Sequence, residues 1–223
     1  MAFERRTIIS ACVYALLSIV AAPLVCAAED PAVKAAVLHL QRQWENIKFN
    51  VPEGTKQTDQ MNALGEEADS VSARYPDQVE VLIWNGVITS ERASMAGPIS
   101  ALTLATRARD TLEKAYKLNP AALDAGATVS LAVLYYRVPG FPIAFGDKAK
   151  ARKLLEQAIS IAPNGLDALY FYGDFLHGEG DDAKAKEIFR RALALPAHPQ
   201  RADWDHNRRL VIEELLAKIK DKS

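Results

Sequence analysis

One apolar pattern that recurs along the chain constrains its fold more than any other feature. From Ala185, apolar side chains follow at offsets 0, 3, 4, 7, 8 and 10, which places them on one face of an α-helix. The same offsets recur from Ala151 and, with one threonine among them, from Ala108. A helix with an apolar face is stable in water only when a neighbour covers that face. The recurrence therefore predicts an all-α array of similar, stacked units.

Prolines mark the ends of these helices. Because proline fixes φ and has no backbone N–H, it ends one helix and begins the connection to the next. Leu123 and Leu166 each lie three residues after such a proline, and each begins a further apolar stretch. The closing prolines are Pro76, Pro120, Pro163 and Pro196. The first of them closes a weaker copy of the pattern, so the array is predicted to contain four helix pairs.

The pattern predicts the limits of each helix. The first helices of the pairs are expected at 31–48, 79–92, 122–137 and 165–177, and the second helices at 57–74, 99–117, 147–161 and 181–194. The four repeats then cover about 31–76, 77–120, 121–163 and 164–199. A cap at 203–220, with a helix from about residue 204, is amphipathic and is expected to cover the last pair, as a stacked array requires. Its apolar side is formed by Val211, Ile212, Leu215, Leu216 and Ile219.

The last unit carries a recognisable spacing of large, small and aromatic residues. The matching positions are Leu169, Tyr172, Gly173, Leu176, Ala185, Phe189, Ala192 and Pro196. With this spacing the chain resembles the tetratricopeptide repeat superfamily over roughly residues 31–197. The resemblance implies an α-solenoid of antiparallel helix pairs wound into a right-handed superhelix, which usually serves as a protein-binding scaffold. An insert before a second helix is also similar to the periplasmic T-component of TRAP transporters, which implies a transport accessory or small-molecule binder as the alternative.

The resemblance also implies which residues face the concave groove, since first helices line it in this family. The expected partner-binding residues are Glu80, Ile83, Val87, Glu91, Asp124, Leu131, Tyr135, Asp167, Tyr170, Asp174 and His177, with Ser90, Ala127 and Leu134 in the same register. This set is apolar with an acidic rim and contains no Lys or Arg. It is therefore expected to bind an apolar or cationic protein segment.

Three connections inside the helix pairs are longer than the repeat needs, at 49–56, 93–100 and 138–147. All three are expected to emerge from one edge of the array, which is a usual place for a binding surface. In the longest, prolines and glycines exclude a helix, whereas Phe141 and Phe145 predict burial. That insert is interpreted as a plug over the helix ends or, alternatively, as a wall that contacts a ligand or partner.

Residues 1–28 have the composition of an export signal. Two arginines precede an apolar stretch at 8–25, and small residues follow up to Ala28, after which cleavage is expected. The domain at 29–223 is then exported, and the periplasm of a Gram-negative bacterium is the expected location. An uncleaved signal would instead anchor the chain in a membrane. A lipid-modified Cys26 is a further alternative, which the large residues before it disfavour.

Composition and motifs limit the chemistry. With 27 Lys and Arg against 28 Asp and Glu, the chain has no net positive field for nucleic acid. Both cysteines lie in the predicted signal. No catalytic or cofactor motif is found, so neither an enzymatic activity nor a cofactor is predicted. A weak metal-site candidate, and with it a metal-dependent enzyme, is the segment with His198, Asp203, Asp205 and His206.

The sequence thus predicts an exported scaffold that binds a protein or peptide partner of the cell envelope through its groove and insert edge. The binding would depend on shape and apolar complementarity, without bond chemistry. The oligomeric state and the identity of the partner do not follow from the sequence.

Overall fold

The computed structural model describes residues 30–219, and the predicted export signal lies outside them. Over this range the chain forms α-helices joined by short connections, with a 3-10 turn at Pro199–Arg201 before the last helix. The helices are α1 Pro31–Asn50, α2 Thr55–Arg74, α3 Val79–Met95, α4 Pro98–Leu118, α5 Ala122–Arg137, α6 Lys148–Ile161, α7 Leu166–Gly178, α8 Asp182–Leu193 and α9 Ala202–Lys218. None of the described helices is long and apolar enough to cross a membrane. The fold is an all-α solenoid, as predicted, and every predicted helix end agrees with the observed one to within three residues.

Aspartate caps begin several of the helices. The carboxylates of Asp30, Asp147 and Asp181 accept hydrogen bonds from backbone N–H groups in the first turns of α1, α6 and α8, respectively. Such bonds satisfy donors that the helix itself leaves free. The caps at Asp147 and Asp181 fix where the second helices of the last two pairs start.

The helices pack in two layers. Each odd-numbered helix from α1 to α7 pairs with the helix that follows it, and α1, α3, α5 and α7 also contact one another in sequence. The even-numbered helices of successive pairs make no such contacts within residues 30–219. Closer packing of the first helices curves the stack, so these helices form the inner, concave layer.

Small residues let the helices of a pair approach closely. A Cβ atom added at Gly173 on α7 would lie 2.5 Å from the ring of Phe189 on α8. A Cβ atom added at Gly86 on α3 would lie 2.4 Å from Leu112 on α4. Both large partners are fully buried, so the two glycines provide the space that these side chains fill. One continuous hydrophobic core runs from α1 to α9.

The C-terminal helix covers more than the last pair. Helix α9 contacts α7 and α8, as predicted for a cap, and it also contacts α1. The Asn50 side-chain amide at the end of α1 donates a hydrogen bond to Asp203 of α9 at 3.3 Å. The C-terminal helix therefore connects the first repeat to the last.

The start of α5 differs from the prediction. The sequence pattern places Leu123, Asp124 and Ala125 in a right-handed helix, but their φ angles are 49°, 52° and 63°. They form a left-handed turn, and the right-handed helix begins after it. Such a turn is costly for residues with a Cβ atom. It places Ala125 in a small apolar cluster with Val129 and residues of α6 and α7, and this burial offsets part of the cost.

The inserts also differ from the prediction. Half of 49–56 and most of 93–100 extend the flanking helices, so 138–147 is the long irregular connection among these three segments. Within it Phe145 is half-buried, whereas Phe141 is 92% exposed and Ile143 is 72% exposed. The prediction that Phe141 is buried is wrong. Val138 and Phe145 pack against the core, whereas Phe141 extends away from the helices.

Candidate partner-binding face

The inner layer contains the predicted groove residues at two depths. Ile83, Leu131, Tyr135 and Tyr170 are each less than a tenth exposed. Ile83 lies beside Gly126 of the next first helix, whereas the Tyr135 hydroxyl contacts the second helices α4 and α6. Val87 is half-buried at the surface of the layer. The predicted register therefore describes both the packing between first helices and the floor of the concave face.

The acidic rim is paired with basic groups that the sequence register did not include. Glu91 contacts the Nζ atom of Lys48 at 2.6 Å, and Asp167 contacts the Nε atom of Arg208 at 2.8 Å. These partners come from α1 and α9, which are far from the carboxylates in sequence but adjacent in the fold. The expectation of a face without Lys or Arg is wrong, because it considered only the first helices of the last three pairs.

Four other predicted groove residues have different surroundings. Asp174 accepts hydrogen bonds from Arg137, at 2.9 Å, and from the Tyr136 hydroxyl. The His177 Nδ1 atom lies 2.7 Å from a carboxylate oxygen of Asp182. The remaining members are Glu80, which is half-buried, and Asp124, which is exposed in the left-handed turn.

Three tryptophans, which are all that the chain contains, lie at the junction of α1, α3 and α9. The rings of Trp44 and Trp84 are 5.8 Å apart, and the Arg201 guanidinium lies 4.0 Å from the Trp204 ring and 5.9 Å from the Trp84 ring. Arg201 also donates a hydrogen bond to Glu45 at 2.6 Å. The sequence analysis did not predict this cluster. A signal was present, because Trp204 and Arg208 lie at helical spacing on the same face of the last helix as Ile212 and Leu215.

Two of the four metal candidates, His198 and Asp205, lie in one hydrogen-bonded cluster with Arg209. The Asp205 carboxylate accepts hydrogen bonds from Arg209 at 2.7 Å and from the His198 backbone at 3.2 Å. The His198 Nδ1 atom lies 2.9 Å away. Burial opposes the charge on Asp205, but its bonds to Arg209 and His198 outweigh that effect and lower its pKa. Asp203 binds Asn50 instead, and His206 is exposed. Within residues 30–219, no group of three metal-binding side chains is assembled.

The 138–147 insert is tied to the end of α5. The Asp147 backbone N–H donates to the Tyr135 carbonyl at 2.8 Å, and the Gly146 N–H donates to the Pro139 carbonyl at 2.9 Å. A Cβ atom at Gly146 would collide with the Val138 carbonyl oxygen, so the segment requires glycine there. The insert therefore closes on itself beside the helix ends.

Phe145 attaches the insert to the helices. Its ring packs edge-on against Tyr135 at 5.7 Å, and the Arg109 guanidinium lies 4.5 Å from the ring centre. The Tyr135 hydroxyl donates to Glu113. Burial, together with the Glu113 carboxylate, raises the pKa of Tyr135 although Lys150 opposes this. Tyr135, which the resemblance assigns to the groove, therefore packs beside the insert.

A small cleft lies beside the insert, at the ends of α5 and α7. It is lined by Tyr136, Lys148, Asp174, Phe175, Gly178 and Glu179, and its volume is about 190 Å³. Burial raises the pKa of the Tyr136 hydroxyl, with the Asp174 carboxylate adding to the effect. Tyr136 therefore remains a neutral hydrogen-bond donor to Asp174 at physiological pH.

Comparison with known proteins agrees with this architecture. Residues 143–204 match the family model described as tetratricopeptide repeat. A thermophilic TPR protein of Thermus thermophilus shares the fold, with a TM-score of 0.55, 17% identity, and coverage of 83% of this chain and 91% of that one. Over residues 143–204 the chain is similar to tetratricopeptide repeats. This chain is also similar to MamA, with 20% identity over 84% of this chain and 90% of that one, at a TM-score of 0.43.

One curated relative carries a catalytic name. This chain is 35% identical over 82 residues to the protein adenylyltransferase Fic of Nematostella vectensis. The match covers 34% of this chain and 19% of that protein. The chain thus spans about a fifth of the length of this relative.

Proposed function

We propose that this protein is an exported scaffold that binds a protein or peptide partner of the cell envelope through its concave face. The observation that carries the proposal is the inner layer, where aromatic rings and carboxylates from successive first helices meet. Trp84 and Tyr170 are stacked by arginines, and Glu45 and Asp167 are ion-paired with them. A face built this way recognises a cationic or apolar helix by charge and shape.

The proposed role is binding without bond chemistry. The repeat fold is typically a non-catalytic scaffold, and the clusters of titratable groups around Asp205 and Tyr135 are saturated by ion pairs and hydrogen bonds within the chain. The match to an adenylyltransferase spans too little of that protein to carry its activity over.

Export is part of the proposal and rests on the residues before the described range. Two arginines, the apolar stretch 8–25 and the small residues up to Ala28 support a cleaved signal. Cell fractionation with N-terminal sequencing tests this directly. A mature chain that begins at Glu29 in the periplasm is expected, whereas an intact N-terminus in the cytoplasm would contradict it.

Binding through the concave face is tested with isosteric changes that leave the packing intact. Glu91→Gln and Asp174→Asn together remove two charges from the inner layer, where both residues are half-buried. Partners are cross-linked to the protein in periplasmic extracts and quantified by mass spectrometry. The captured amount of any partner held by these charges should fall at least about tenfold. The insert edge is tested separately by deletion of 138–147.

A matched control removes the same charge from the opposite surface. Glu66→Gln and Glu187→Gln lie on second helices, and both side chains are exposed. The control should retain every partner. Equal loss from both charge variants would indicate a general charge effect, and no loss from either charge variant or from the insert deletion would refute the proposed function.

The TRAP T-component resemblance supplies the second candidate, a transport accessory that binds a small molecule. The cleft beside the insert would be its site, but about 190 Å³ is below the usual range of roughly 300–1,000 Å³ for ligand pockets. Thermal stabilisation by small organic acids would favour this candidate. Its absence, together with loss of a protein partner in the inner-face variant, would favour the scaffold.

A further inference from the structure

The inner face already holds a helix, and that helix belongs to the same chain. Arg201, the last residue of the 3-10 turn that leads into α9, reaches Glu45 and stacks between Trp84 and Trp204. Two helical turns later, Arg208 pairs with Asp167. Helix α9 and the turn before it therefore place arginines against acidic and aromatic groups at both ends of the concave layer.

Arg208 adds a second stacking contact. Its guanidinium lies 4.1 Å from the centre of the Tyr170 ring and 5.0 Å from that of Phe171. Tyr170 and Asp167 are two of the residues that the sequence assigns to partner binding. The C-terminal helix thus uses the contacts that an external cationic helix would use.

Helix α9 is held by few buried side chains. Of its 17 residues, Trp204, Asp205 and Ile212 are buried. Helix α7 has 13 residues, of which eight are buried. Elements with few buried contacts open at lower free energy than the core, so α9 is expected to open before the helix pairs do.

The three tryptophans at the junction of α1, α3 and α9 lack hydrogen-bond acceptors in the described part of the chain. The indole N–H groups of Trp44, Trp84 and Trp204 are buried and have no hydrogen-bond acceptor among residues 30–219. The three side chains are 7%, 7% and 4% exposed. Trp204 belongs to α9 itself, so Trp44 and Trp84 are the donors that stay on the face when α9 leaves. Because a buried donor without an acceptor is costly, a helix that offers acceptors to these two indoles would gain contacts that α9 does not supply.

We propose that α9 is a displaceable internal ligand of the concave face, and that the partner presents a cationic amphipathic helix to the same site. The partner helix would carry an aromatic residue four positions before an arginine, as Trp204 and Arg208 do in α9. This inference rests on the proposed function and specifies the partner's chemistry. It also makes partner binding conditional on release of α9.

A labelled peptide with the sequence of residues 199–219 is the probe. Fluorescence anisotropy measures its binding to the purified full-length protein. In the wild type the internal helix competes, so the apparent affinity is reduced by the small fraction of molecules in which the face is open. Binding of the peptide should therefore be weak but saturable.

Weakening the internal helix should strengthen binding of the peptide. Arg201→Ala with Arg208→Ala removes the two arginine contacts from the protein while the peptide keeps them. The apparent affinity should rise at least about tenfold. Unchanged affinity, or no binding of the peptide to either protein, overturns the proposal.

The control variant removes two arginines elsewhere. Arg74→Ala with Arg190→Ala changes the net charge equally, and both side chains are exposed and outside the concave face. Its affinity for the peptide should equal that of the wild type. Circular dichroism verifies that each variant retains its helix content.

A cross-link provides a test that does not depend on weakened variants. Asn50→Cys with Asp203→Cys, joined by a short thiol-reactive cross-linker, fixes α9 to α1, where the native side chains touch at 3.3 Å. Cross-linking should abolish peptide binding, whereas Asn50→Cys alone with the same reagent should not. Retained binding after complete cross-linking overturns the proposal.

The proposed scaffold function and the displaceable helix α9 can be refuted separately. If the cross-linked protein still captures its envelope partner and the partner depends on Glu91 and Asp174, the scaffold function stands and the displaceable helix is refuted. If the peptide behaves as expected but neither charge variants nor the insert deletion affect any partner, the site is real and the proposed function is refuted.

Discussion

Replacement of Gly173 by alanine tests the packing of the helix pairs. An added Cβ atom would lie 2.5 Å, 2.7 Å and 2.9 Å from three ring carbons of Phe189. All three distances are shorter than real Cβ contacts allow. The Phe189 ring is completely buried, so it cannot move into solvent to relieve the collision.

The expected magnitude follows from two opposing effects. Overpacking a well-filled core costs about 1–3 kcal/mol, and alanine gains up to about 1 kcal/mol over glycine in a helix. We expect a net loss of about 1–2 kcal/mol in the free energy of unfolding. For a chain of this size that corresponds to a fall in Tm of about 2–8 °C.

The assay is thermal and urea unfolding, followed by the far-ultraviolet circular dichroism of the helices. Gly178→Ala is the matched control in the same helix, because nothing lies within 4 Å of its added Cβ atom. The control should be neutral or slightly stabilising. If Gly173→Ala is as stable as the wild type, the close approach of α7 and α8 is refuted.

A double-mutant cycle strengthens the test. Phe189→Leu replaces the ring by the residue found at the equivalent position, Leu155, of the preceding repeat. Alone it should cost on the order of 1 kcal/mol through lost burial. Combined with Gly173→Ala it should cost less than the sum, because the smaller side chain makes room for the new methyl group.

Three further outcomes are expected. Asp205→Asn should lower the free energy of unfolding by about 1–3 kcal/mol at pH 7. Because folding lowers the pKa of Asp205, its carboxylate stabilises the fold above the unfolded pKa near 3.9, and this stabilisation is lost as the pH falls through the folded pKa. Unfolding measured at several pH values would show this dependence. Asp124→Gly should stabilise by about 0.5–1 kcal/mol, because its φ of 52° costs less for glycine; a loss of about 1 kcal/mol would instead indicate a right-handed helix. Phe145→Ala should cost about 1–3 kcal/mol and Phe141→Ala less than about 0.5 kcal/mol, and equal losses in thermal unfolding would contradict the described insert.

Helix limits could be predicted from the sequence because their causes are local. Apolar periodicity defines which face is buried, and prolines such as Pro120 and Pro163 define where a helix must end. The Gly173–Phe189 spacing also indicates which helices pair. These signals act over a few residues, so they are visible without knowledge of the tertiary structure.

The contacts across the inner face could not be predicted in this way. Lys48 and Glu91 are 43 residues apart, and Arg201 and Glu45 are 156 apart. Their meeting depends on how strongly the stack curves, which is the sum of small rotations between repeats. No local pattern fixes that sum.

Two local features also escaped prediction. The left-handed turn at Asp124 has none of the glycines that usually mark such a conformation, and Gly126 comes only after it. The expected burial of Phe141 rested on its residue type. Residue type gives only an average tendency, and one anchored aromatic residue in the insert, Phe145, leaves the other free.

The most direct test of the account is the distance between α1 and α9 in solution. Spin labels at Asn50 and Asp203, whose side chains are in contact at 3.3 Å, report this distance by electron paramagnetic resonance. We expect a predominant short distance that lengthens when the labelled peptide of residues 199–219 binds. A long distance in the free protein would mean that α9 covers only the last pair and that the concave face has no internal ligand.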